Sequence, residues 1–329
     1  MAADAPGSPD SSGVADTPER ADTTTAPHPA FEGYAAEPVP QAAVGSPGKE
    51  GRLELSFRRN SDGRTDLVRD LARVPFHLSG TLDHDPHPDA TTVFVQSPTG
   101  GIAQGDRHNI EIDVGPDAVA HVTTQSATKV LSMECNYGAS DVTLSVAPGG
   151  HLDYVPDPTI LHPDARFCQD LTVDLADGAT AVVGDVMVPG RLARGEHFDF
   201  ERFVSRIDVY DGEDRLLAAD ATHLAPEDGD PTAPGVLGDC AVYGTLFVLA
   251  PDESESVLAD LADAIHERLA DESDHPGAET GATTLPNGAG VAVRALGSES
   301  EPVTAALRDA WDEGRQTLLG VSAPEVRKN

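Results

Sequence analysis

Residues 93–129 read VFVQSPTGGIAQGDRHNIEIDVGPDAVAHVTTQSATK. An apolar run, Val93 to Val95, enters a turn at Pro98-Thr99-Gly100-Gly101, and Gly105-Asp106 follows. Ile110, Ile112 and Val114 then alternate with polar residues, which is the period of a half-buried strand. Gly115-Pro116-Asp117 turns the chain, and Val119 to Val122 begins a return strand ending in Thr123-Thr124-Gln125 and Lys129. Three glycines close to one aspartate, bracketed by strands, mark backbone that must pass where a Cβ would clash. Asp106, Thr124, Gln125 and Lys129 fall at strand ends, where side chains are held in place. An ordinary hairpin with common turn residues is the alternative reading.

Outward from this stretch the same theme recurs. Val142 to Val146 turns at Pro148-Gly149-Gly150 into Leu152 and Tyr154, Leu171 to Leu175 turns at Asp177-Gly178 into Thr180 to Val183, and Ile207 to Val209 turns at Asp211-Gly212 into Leu216 and Leu217. A turn roughly every thirty residues predicts stacked β units rather than one flat sheet. Upstream, Leu53, Leu55 and Phe57 form a strand to which Thr65 to Val68 pairs back. Downstream, Cys240 to Leu249 is nearly all apolar, a strand covered on both faces. Val257, Leu258, Leu261, Ile265 and Leu269 share one helical stripe, and Val303, Leu307 and Trp311 another. The expected fold is mainly β: a large, helically wound, β-solenoid-like body with two α-helices near the C-terminus, at about 252–271 and 300–319. Residues 1–50 are expected to be a disordered acidic arm, residues 51–329 a single domain, and residues 225–239 and 271–284 loops.

The chain has 56 acidic and 22 basic residues among 329, a formal net charge of −34. Only Lys49, Lys129 and Lys328 are lysines. Such an excess argues against nucleic acid and anionic membranes, which would repel it. It suits a cytoplasm of molar salt, where the Debye length falls to about 3 Å. No basic-then-apolar leader opens the sequence and no run approaches the ~18 apolar residues of a membrane span, so a cytoplasmic location is expected. Cys135, Cys168 and Cys240 are an odd, scattered set that predicts reduced thiols. Cys135 fits a small core residue better than a soft metal ligand. His84-Asp85-Pro86-His87-Pro88 invites a metal reading, although its prolines predict a stiff, exposed loop.

The ordered motifs resemble those of the urease accessory protein UreD (UreH) family. They are Gly100-Gly101-x-x-x-Gly105-Asp106, Thr123-Thr124-Gln125-x-x-x-Lys129, Leu152-x-Tyr154-x-Pro156-x-x-Thr159-Ile160-Leu161, and Asp185-x-x-x-x-Gly190-Arg191-x-x-x-Gly195-Glu196. The likeness runs from about Leu53 to about Gly320. Thr99 stands where a second proline is usual in the family, and the C-terminus lacks the usual tryptophan. The resemblance implies a halophilic-type maturation factor with no enzymatic activity. It implies a complex with UreF and the GTPase UreG, with a homodimer inside that complex, docking on the urease apoprotein. It also implies that nickel reaches the urease active site with no tightly bound cofactor on this chain and only transient Ni2+.

Asp106, Asp185 and Glu196 are then candidate oxygen ligands along a nickel path. Thr124, Gln125, Lys129 and Arg191, with Gly100, Gly101, Gly105, Gly190 and Gly195, shape that path or meet a partner. Asp106 capping a turn and Arg191–Glu196 pairing locally are the structural alternatives. A pure adaptor without nickel contact is one competing function. A β-solenoid carbohydrate-active enzyme using Asp106 and Asp185 as a carboxylate pair is another. The glycine motif lacks the Gly-Lys-Ser/Thr ending of a phosphate loop, and no G-x-S-x-G elbow or His-x-x-x-His helix occurs.

Overall fold

The computed structural model describes residues 26–39, 47–270 and 274–325. A short helix, α1 (Glu32–Ala35), precedes the body, which opens with the antiparallel pair β1 (Glu50–Arg59) and β2 (Thr65–Ala72). A second antiparallel pair, β3 (His77–Leu82) and β4 (Thr91–Gln96), lies in the opposite sheet. The chain then winds. β5 (Arg107–Val114) in the first sheet leads to β6 (Val119–Thr124) in the second, and β7 (Thr128–Val130) crosses back. β8 (Gly138–Val146), β9 (His151–Tyr154) and β10 (Thr159–Leu161) repeat the circuit. β11 (Arg166–Leu175) and β12 (Thr180–Val188) begin it a third time, and β13 (Arg202–Asp211) completes the parallel run β1-β5-β8-β11-β13.

Antiparallel strands close the winding. β14 (Leu216–Leu224) pairs back on β13, and β15 (Val242–Leu249) pairs with β12. After α2 (Glu255–Leu269), β16 (Ala278–Thr284) and β17 (Gly290–Gly297) extend the second sheet, and α3 (Ser300–Leu319) ends the fold. The β-solenoid-like body with two late helices is therefore present as expected.

Two details differ. The turns at Gly115-Pro116-Asp117, Pro148-Gly149-Gly150 and Asp177-Gly178 are corners between sheets, because β5, β8 and β11 pair with one another and not with the strands that follow them. Only the turn at Asp211-Gly212 makes a hairpin. Residues 278–284, expected to be loop, form β16, an edge strand at the end of the second sheet. An edge strand with solvent beside it needs no strict apolar alternation.

The inner face of the first sheet carries aligned apolar rows. Ile110, Val142, Leu171 and Ile207 make one row, and Ile112, Leu144, Val173 and Val209 another. They pack against Val93, Ala120, Val122, Leu152, Ala181 and Val183 of the second sheet, forming the main core. The outer face of the second sheet buries Val182, Val242, Leu246 and Val293 under Leu261, Ile265, Leu307 and Trp311 of the two helices. β15 is thus covered on both sides, which is why its sequence is nearly continuous apolar. Ser254 caps α2 by accepting from the Val257 N–H, and Gly320 at φ 70° stops α3 in the left-handed region.

Helix α3 is also fastened by charge. Arg315, fully enclosed, donates to Asp153 of β9 and to Asp85 Oδ1 at 2.5 Å, while Trp311 Nε1 donates to Asp153 Oδ1 at 2.7 Å. The 84–88 loop is thus tied inward at Asp85, whose side chain is fully enclosed, although Pro86 and Pro88 are exposed as expected.

Residues 26–39 lie within the stretch expected to be disordered, yet they pack on the body. Phe31 is fully buried against Tyr137, Ala139, Cys168 and Val204 on the outer face of the first sheet. Tyr34 donates to Glu201, and Glu37 accepts from Asn136 and Arg166. One aromatic plug and a few charged hydrogen bonds suffice where composition alone predicts a solvated tail. The rest of that stretch up to residue 46 lies outside the described residues.

Candidate functional site

Next to the apolar rows of the first sheet runs a polar one. Gly51, His108, Ser140, Gln169 and Ser205 occupy equivalent positions on five adjacent parallel strands. Each lies two residues before the apolar residue that its strand gives to the Leu53-Ile110-Val142-Leu171-Ile207 row, so it shares the inward face. His108, Ser140 and Gln169 line a cavity of about 210 Å³ between the sheets, at the end where the circuits cross from the second sheet back to the first. Opposite them lie Thr123, Thr124, Tyr154 and Asp185. Ser97, Pro98, Gly100, Ser126 and Lys129 line the same cavity and are exposed, and they form its mouth.

The two halves of the glycine motif build that mouth. Ile102 N–H donates to Lys129 O at 2.8 Å, and Leu131 N–H returns a bond to Ile102 O at 2.8 Å. Gly101 sits at φ 144°, where a Cβ would come within 2.4 Å of Lys129 O. Glycine is required there by close approach as well as by conformation. Thr124 Oγ1 accepts from Asp157 N–H at 2.8 Å, and Gln125 N–H donates to Val95 O at 3.0 Å, so the loop after β6 is pinned on both sides.

At the inner end Asp185 accepts from Ser205 Oγ at 2.8 Å, and Gln169 also hydrogen-bonds it. Burial raises the Asp185 pKa above the ordinary carboxylate value; the bonds from Ser205 and Gln169 oppose that rise, and nearby Asp220 adds to it. The Tyr154 hydroxyl is raised by burial and by Asp185. His108 is pushed down to about 4, chiefly by burial, with Asp106 opposing and Lys49 assisting. At neutral pH the imidazole is therefore uncharged. Beyond Asp185, its cross-strand neighbour Thr245 receives Arg294 Nη1 at 3.4 Å, and Arg294 Nη2 reaches Asp220 at 2.5 Å. The polar row therefore runs through an otherwise apolar interior and ends at Asp185, beyond which polar side chains continue to a partly exposed ion pair.

The other candidate residues stand elsewhere. Asp106 is fully buried but does not line the cavity. Its carboxylate accepts from Lys49 N–H at 2.8 Å and Ala103 N–H at 3.0 Å, with Lys49 Nζ at 3.4 Å. Beside it Gly105 makes room for Val39, whose Cγ2 would lie 2.6 Å from a Cβ. The Gly105-Asp106 corner thus holds the incoming N-terminal segment. Glu196 pairs with Arg191, at 2.7 Å from Nε and 2.5 Å from Nη2, locking the loop after β12. Gly190 in that loop approaches Glu196 O so closely that a Cβ would sit 2.4 Å away, and Gly195 closes the turn at φ 76°. Asp106 and Asp185 are not brought together in one cavity.

His108, Ser140, Gln169 and Ser205 escaped the sequence reading. Their signal was a polar residue two places before an inward apolar one, but it gains meaning only once the thirty-residue circuits are stacked. Among the described residues no group of three His, Cys, Asp or Glu stands close enough to cage a metal, and the three cysteines are free thiols. No helix among them is long and apolar enough to cross a membrane. The site can therefore offer oxygen atoms and one imidazole along a path, without a closed coordination sphere.

The profile of the family described as UreD urease accessory protein matches residues 49–329. A protein named urease accessory protein UreD from Haloarcula marismortui is 65% identical over 303 residues, covering 92% of this chain and 98% of that relative. Its namesake in Natronomonas pharaonis is 50% identical over 299 residues, 91% of this chain and 98% of the relative. A bacterial one from Photorhabdus laumondii is 36% identical over 290 residues, 87% of this chain and 88% of the relative.

Proposed function

The chain belongs to the UreD family of urease accessory proteins, whose work is urease maturation, and we propose that it serves there as scaffold and conduit for nickel. The observation that carries this reading is the polar row through an apolar interior, open at the motif-built mouth and ending at Asp185. An apolar core tolerates such a row only where its groups are satisfied or serve a passing ligand. Hydroxyl, amide and carboxylate oxygens hold a hydrated divalent cation weakly and release it, whereas a four-ligand cage would retain it.

In this reading Asp185 touches the cation. Asp106 and Glu196 act one step back, holding the N-terminal segment and the loop after β12 that frame the path. The partners are UreF, the GTPase UreG and apo-urease, in the cytoplasm, with the exposed motif loops around Gly100, Gln125 and Lys129 meeting one of them. Deleting the gene should yield urease polypeptide with little nickel and little activity, both restored by the wild-type chain. Fully metallated urease from the deletion strain would overturn the reading.

A further inference from the structure

We propose that His108 is the nitrogen donor that makes the cavity prefer a late first-row divalent metal over magnesium; this rests on the conduit reading above. The other polar groups lining the cavity are hydroxyls, Gln169, Lys129 and the carboxylates of Asp157 and Asp185. Oxygen donors of that kind suit magnesium and give little selectivity, whereas imidazole favours nickel and its neighbours. His108 is the only imidazole among the lining residues.

Its setting is that of a held ligand. The residue is 7% exposed, and among the described residues its Nε2 is enclosed without a hydrogen-bond partner. The Phe76 ring meets it edge-on at 4.9 Å between centroids. Gly51 leaves the space both rings need: a Cβ there would lie 3.0 Å from His108 Cδ2 and 3.1 Å from Phe76 Cε2. The ring thus packs on Phe76 over Gly51 with Nε2 unpartnered, one strand from Ser140 and two from Gln169. A buried nitrogen without a partner is costly in a finished core and useful where a ligand passes. With no three-group cluster among the described residues, the metal keeps most of its waters and moves on.

The test uses the full chain in molar KCl with Ni2+ and Mg2+ as probes, by equilibrium dialysis and nickel X-ray absorption. Wild type, His108→Gln and Asp185→Asn are compared, with melting temperatures recorded to show that each is folded. His108→Gln should weaken nickel at least tenfold, change magnesium less than twofold, and remove the imidazole signature from the nickel spectrum. His108→Cys, which restores a soft donor, should recover much of the nickel preference. Nickel binding that falls with Asp185→Asn but is untouched by His108→Gln overturns this proposal and leaves the conduit standing. Nickel binding indifferent to both substitutions overturns the two together.

Discussion

His121 lies fully buried on β6, its ring 5.1 Å from that of Trp311, and among the described residues neither ring nitrogen has a hydrogen-bond partner. Burial pushes its pKa down to about 4, with Asp153 opposing and Arg315, His84 and His151 assisting. A base whose folded pKa is depressed takes up its proton more readily when unfolded, so stability falls as pH drops from about 6.5 toward 4. His121→Phe should reduce the slope of the melting-temperature profile across that window by its own share of up to roughly 3 kcal/mol, leaving the share of His108, which burial depresses equally. An unchanged slope would assign it to other groups. Asp153 adds loss at lower pH: burial alone would raise its pKa, but His151, Arg315 and His121 together hold it below the usual carboxylate range. At this scale the sequence was partly legible. Gly101, Gly105 and Gly190 announced close approaches because glycine has no substitute there. Ser140 and Gln169 announced nothing, since an isolated polar residue within a strand is common and only interstrand register turns four of them into a row.

Among the elements, the corners and the segment before β1 teach most. Asp-Gly and Pro-Gly turns read alike whether the next strand pairs with the previous one or with a strand about thirty residues away. The choice is made by non-local pairing, so the turn residues leave hairpin and corner open while the stacking period is readable. The N-terminal segment was missed for a different reason. Phe31 stands in a short stretch of alanine, proline and acid with no periodic apolar pattern, and its seat of Tyr137, Ala139, Cys168 and Val204 is assembled from three strands and the loop before β8. Removing a buried phenyl ring costs about 3 kcal/mol or more, and here the loss falls first on the docked segment. Phe31→Ala should speed amide exchange across residues 26–39 at least tenfold while β8 and β11 keep their protection. Equal exchange in both proteins would show that the hydrogen bonds of Tyr34 and Glu37 hold the segment unaided.

For the whole molecule, charge sets the working conditions. A net charge of −34 on a chain of this size repels itself at low ionic strength, and the relatives from halophilic archaea live where that field is screened. The melting temperature should rise steadily from 0.1 M to molar KCl, in approximate units of several degrees. A flat profile would mean that the acidic surface is not what salt stabilises. The central proposal concerns the interior: that nickel reaches urease along the polar row that ends at Asp185. The most direct measurement is the nickel content of urease matured beside Asp185→Asn, with co-purification confirming that the accessory complex still forms on the apoprotein. An assembled complex delivering several-fold less nickel is the predicted result. Urease carrying its full nickel complement from that variant would contradict the account.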